Sequence, residues 1–126
     1  MKRLGFQYVV LRCVPRVDRE EFVNVGVVLY CQEAGFLEAR GHVHADRLRA
    51  LDPRVDVDAV RSALEAIEAV CRGDASAGEA ALAPMGQRFG FVIAPRSTVV
   101  QPGPVHGGST DDPAREIDRL RDELVR

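Results

Sequence analysis

The chain has no tryptophan, a single lysine (Lys2) and a single asparagine (Asn24). Arginine therefore supplies almost all of the 17 basic side chains. Such an excess follows from GC-rich coding. Where it is functional, the guanidinium suits phosphates and carboxylates, which it grips with two parallel hydrogen bonds. Cysteines number three, Cys13, Cys31 and Cys71, with no C-x-x-C pair, which gives no support to a zinc knuckle or a thioredoxin-like motif. There is no excess of positive charge. The formal net charge is −2 with a pI near 5.9, which disfavours a basic nucleic-acid module. A long apolar run is missing too. Arg12 interrupts the stretch that starts at Tyr8, so neither a signal peptide nor a transmembrane span is expected.

What is present is ordinary for a globular chain. Hydrophobic residues make up 46% and charged residues 29% of 126 positions. One domain over residues 1–126 is expected, large enough to bury a core without staples. The cysteines sit inside apolar runs, so buried, reduced thiols and a cytoplasmic location are expected.

The first third reads as an antiparallel meander. Residues 6–14, 22–31 and 36–44 are rich in Val and aromatics, separated by a polar turn at 15–19 and by Glu33-Ala34-Gly35. Alternation sorts each strand into two faces. Val23, Val25, Val27, Leu29 and Cys31 share one face of the second strand, and Phe22, Asn24, Gly26, Val28 and Tyr30 share the other. One sheet face is then uniformly apolar and should carry the helices. The other mixes apolar residues with Arg12, Asn24, Glu38, Arg40 and His42.

The middle is helical. Ala45–Leu51 forms one or two turns. Val57, Val60, Leu64, Ile67 and Cys71 recur at steps of three and four, the stripe of a longer helix over residues 56–72 stopped by Gly73. Residues 79–85 form a short helix, and 89–93 read as β-like. Residues 98–101, before a Pro- and Gly-rich stretch, suit an edge strand. Asp112-Pro113 starts a C-terminal helix striped by Ile117, Leu120 and Leu124.

Four constellations bear reactive groups. Ser97, His106 and Asp111 or Asp112 contain the ingredients of a nucleophilic triad, without a G-x-S-x-G elbow. Arg96, Ser97 and Thr98 suit a phosphate or carboxylate, while hydroxyls in such a loop also satisfy turn backbone. His42 and His44 share a strand face, and ligate a metal only if donors such as His106 and Asp111 converge on them. Glu20 and Glu21, near Arg12 and Arg19, suit a turn with a cross-strand ion pair, or else acid–base groups or a metal site. Asn24 and Gly26 break the logic of a Val-rich strand. They mark either a β-bulge, with Asn24 bonded to a segment such as 98–101, or a site on the mixed face.

Two blocks carry a family resemblance. Residues 8–15 with 20–29 (YVVLRCVP and EEFVNVGVVL), and residues 88–92 with 94–106 and Asp111-Asp112-Pro113, resemble a bacterial family catalogued as domain of unknown function 3037. Gly103 stands where that pattern leads one to expect serine, which removes a hydroxyl there. The resemblance implies a small bacterial cytosolic protein whose gene often lies beside one for a HipA-like kinase, and thus an accessory or antitoxin-like partner. It singles out Arg12, Glu21, Asn24, Gly26, Arg96, Ser97, Thr98, Gln101 and His106.

The expectation is one α+β domain, an antiparallel sheet of about four strands with the 56–72 and 113–125 helices packed on one face. Arg12, Asn24 and residues 96–101 should meet as a polar seam. The function expected is that of a non-catalytic interaction protein whose partner is a HipA-like kinase or a second copy of the chain. The alternative is a small enzyme or anion binder built on Arg96, Ser97, Thr98 and His106. No catalytic, metal-binding, cofactor or membrane-binding motif stands out.

Overall fold

The computed structural model describes residues 2–126. Strands β1 (Leu4–Cys13), β2 (Val23–Cys31) and β3 (Phe36–Gly41) form the antiparallel meander. Helices α1 (Ala45–Leu51), α2 (Val57–Arg72) and α3 (Met85–Ile93) follow, then β4 (Val100–Pro102), β5 (His106–Thr110) and α4 (Pro113–Leu124). The sheet order is β3-β2-β1-β4, and β5 also pairs with β1. The free side of β1 is thus completed by two short antiparallel strands in succession. The class is α+β, with five strands where about four were expected.

Local chemistry explains the helix ends. Asp56 accepts from the Ala59 N–H at 3.0 Å to cap α2, and Gly73 ends that helix at φ 72°, a left-handed conformation costly for other residues. Asp112 accepts from the Arg115 N–H at 3.2 Å ahead of Pro113, so α4 starts as the sequence predicts. His44 Nδ1 accepts from the Arg47 N–H at 3.3 Å and caps α1.

The sheet differs from the simple alternating picture at one place. Leu11 pairs with Gly26 but Arg12 pairs with Asn24, so Val25 is an extra residue, a β-bulge. Val25 and Gly26 both turn toward α2, and the alternation changes phase there. Val23, Val25 and Val28 pack with Val9, Leu11, Cys13 and the stripe of α2. Val27, Leu29 and Cys31 pack on the opposite face with Phe6 and with Ile117 and Leu120 of α4.

This overturns the one-face arrangement. The phase change hands three apolar side chains to the second face, and α4 must cover them. Helices therefore lie on both faces, α1, α2 and α3 on one and α4 on the other. Residues 89–93 are the second half of α3 rather than a strand. Met85, Phe89 and Val92 recur at helical spacing and meet the α2-side core, where Phe89 lies 5.0 Å from Tyr30 between ring centroids. Residues 79–82 form only a 3₁₀ turn, and the helix starts at Met85. All three cysteines are buried and free, and burial pushes the Cys13 thiol up to about 11 and the Cys71 thiol up to about 12. No helix among the described residues is long and apolar enough to cross a membrane.

Candidate functional site

The two sequence blocks meet across three strands. Arg12 on β1 is paired with Asn24 on β2 and with Gln101 on β4. All three lie in one row because the bulge at Val25 keeps Asn24 on the same face as Arg12. The guanidinium carbon of Arg12 sits 4.0 Å from the centre of the Phe22 ring, which is 44% exposed. Its far side lies against Gly103, where a Cβ would stand 2.5 Å from a terminal nitrogen. A glycine leaves room for the guanidinium beside the backbone.

Arg12 stands out for what it does not touch. Its Nε is buried and has no acceptor, and no carboxylate pairs with the side chain among the described residues. Of the acids that follow it, Asp18 pairs with Arg16 and Glu21 with Arg19. Phe22, Asn24, Gln101 and Gly103 surround this half-buried side chain, and together they are called the Arg12 shelf below. A buried donor left unmet costs about 1–3 kcal/mol, whereas stacking on one aromatic ring returns about 0.5–1 kcal/mol.

The amides beside it are anchored. Asn24 donates to the Leu124 carbonyl at 3.0 Å, and Gln101 donates to the Thr98 carbonyl at 3.0 Å. The expected bond from Asn24 to residues 98–101 is therefore not made, because β1 lies between them. The last turn of α4 takes its place and is also held by Arg47, which donates to the Val125 carbonyl at 3.3 Å.

The remaining predicted residues scatter. Arg96 donates to the carbonyls of Phe91, Val92 and Ala94 and covers the end of α3. Thr98 donates to the Val100 carbonyl at 2.8 Å, and Ser97 is exposed. His106 faces Tyr8 at 5.2 Å between ring centroids. Along β1, His106 is opposite Tyr8 and Val100 opposite Cys13, a span of ~17 Å at the usual strand rise. Asp111 lies beyond the far end of β5 and is bonded to Arg115. Ser97, His106 and Asp111 therefore do not assemble as a triad. No group of three potential metal ligands converges among the described residues, so His42 and His44 gain no partners from His106 and Asp111. A groove of about 580 Å³ between α2 and the α3–β4 segment brings Arg96 and Thr98 together with Ile67, Phe91 and Val92, but includes neither Ser97 nor His106.

The sheet has two edges of different character. The β3 edge carries the Glu38–Arg40 pair, and Arg40 reaches Asp118 of α4 at 3.3 Å. The β5 edge is His-Gly-Gly-Ser-Thr, exposed at its first four residues, with no proline, lysine or bulge. Only β1 contacts it extensively, and Arg3 reaches across it to the Ser109 carbonyl at 2.6 Å.

One residue of the Arg12 shelf escapes sequence reasoning. Phe22 reads as one more strand aromatic, whereas Gly103 stands out only for a missing hydroxyl and not for the room it leaves beside Arg12. A possible signal is that Phe22 precedes the off-pattern Asn24 by two positions, and so shares its face.

No curated protein and no solved structure matches this chain. The model of one family, described as a protein of unknown function (DUF3037), matches residues 8–125, which include both blocks and every element except the start of β1. Arg12, Phe22, Asn24, Gln101 and Gly103 all fall inside the match, and the chain belongs to the DUF3037 family.

Proposed function

We propose that this chain is a non-catalytic, antitoxin-like accessory protein that takes an extended segment of a protein partner onto the outer edge of β5. The observation that carries the reading is that edge. It is five residues long, carries no side chain at Gly107 and Gly108, and has no proline, lysine or bulge, while Arg3 covers only its Ser109 end. The scatter of Ser97, His106 and Asp111 along the sheet supports binding over catalysis.

The ladder tells which backbone groups are free. Gly103 N–H donates to Val10 and Val14 N–H donates to Val99, so the even-numbered residues of β1 turn toward β4 and β5. Their partners His106, Gly108 and Thr110 turn inward, and Gly107 and Ser109 turn outward. The family resemblance makes a HipA-like kinase the first partner to test.

Titration calorimetry against a HipA-like kinase tests the reading. Gly107→Pro removes one outward N–H without touching the ladder to β1, and should weaken binding about tenfold. Gly107→Ala should bind like the parent, since its Cβ meets nothing closer than 3.7 Å. Kinase binding that ignores Gly107→Pro, or no binding at all, refutes the proposal.

A further inference from the structure

The geometry points to Arg12 and Phe22 as a receptor for a single carboxylate. Arg12 is the one row member whose polar group is uncommitted, since Asn24 and Gln101 each spend one N–H on a backbone carbonyl. The ring of Phe22 lies 4.0 Å from the guanidinium carbon, and the terminal nitrogens make no hydrogen bond among the described residues, so they are the groups a ligand would meet. Gly103 removes the side chain that would push the guanidinium aside.

The charge count selects the ligand. The shelf offers one full positive charge, flanked by two neutral amides that each retain an N–H. A carboxylate matches this with two parallel hydrogen bonds and one unit of charge. A phosphate dianion would be left with an unmatched charge in a partly desolvated place, where such a mismatch is costly. Arg96 shows the contrast, because its guanidinium is already spent on three carbonyls of its own chain end. This inference does not need the β5 edge to bind anything.

Proton–nitrogen NMR of the arginine side chains tests it directly on the full chain. The Arg12 Nε–H signal is followed during titration with N-acetylglycine, which mimics a chain terminus, and with N-acetylglutamate amide, which mimics a side chain. Sodium chloride and inorganic phosphate at matched ionic strength are the controls. At least one carboxylate should shift the signal saturably, together with the free amide protons of Asn24 and Gln101. The stronger of the two then names the source. Arg12→Lys should weaken the response at the backbone N–H of Gln101 and Gly103, and Arg12→Gln should abolish it. Arg96→Gln should leave it unchanged. No saturable shift in the parent chain, or a tighter response to phosphate than to either carboxylate, overturns the assignment. The outcome is independent of kinase binding and of Gly107→Pro.

Discussion

Replacing Gly26 by alanine tests the bulge that aligns Arg12 with Asn24. A Cβ built there stands 3.2 Å from the Arg40 carbonyl oxygen, 3.3 Å from Leu64 Cδ2 and 3.4 Å from Leu11 Cδ1. The first two approaches are tighter than ordinary contact, so the Arg40 carbonyl and Leu64 would have to give. The Arg40 carbonyl belongs to the β2–β3 ladder and cannot retreat without breaking pairing. Overpacking of this kind costs about 1–3 kcal/mol. Leu64→Ala alone leaves a void under Gly26 and Gly41 from a side chain only 5% exposed, and should cost about 2–5 kcal/mol. In the double variant the new methyl at position 26 enters that void. The clash with Leu64 disappears while the clash with Arg40 stays. The two costs should therefore sum to more than the double variant shows, by about 1 kcal/mol. Urea unfolding followed by far-UV circular dichroism suits a chain without tryptophan. With a slope of about 1–3 kcal/mol per molar, that coupling moves the midpoint by about 0.3–1 M. Costs that add to within about 0.3 kcal/mol, or a neutral Gly26→Ala, would refute the view that close packing shapes the bulge.

Two further outcomes are expected. Asp112→Ala removes the cap of α4 and should lower stability by about 0.5–2 kcal/mol in the same urea assay. Burial raises the pKa of Glu68 above its ordinary value, with Arg72 and Arg40 only partly offsetting it. The folded state then holds this proton more tightly than the unfolded state, so stability is lost as pH rises through the raised pKa. Glu68→Gln should therefore melt higher than the parent at pH 7, and the difference should vanish below the unfolded carboxylate range.

Strands β1 to β3 and helices α2 and α4 were legible because each carries a long periodic signal. Val57 to Cys71 repeats the helical step four times, and Asp112-Pro113 names its own helix start. Residues 89–93 misled because a five-residue run is too short to separate a period of two from one of 3.6. The Gly-Gly of β5 hid a strand because its pairing comes from the open side of β1, not from local propensity. Helices on both faces were illegible for a subtler reason. A run of valines looks the same on either side of a bulge, and only Gly26 betrays the change of phase. At the site, Arg12 and Asn24 were visible as residues out of place, and Gln101 only through the family resemblance. The ring under Arg12 and the gap at Gly103 became visible only once three strands were laid side by side.

The split partner of β1 has a consequence for how the chain is built. The first 41 residues hold a meander of near neighbours, which can pair early at little entropic cost. The other side of β1 waits for residues 100–110, so it remains an open edge until almost the whole chain has left the ribosome. The Arg12 shelf cannot exist before then, because Gln101 and Gly103 form its far wall and the end of α4 anchors Asn24. Assembly of the shelf and closure of the sheet are thus one event, and a chain cut short before residue 100 would present an open β1 edge in place of the Arg12 row.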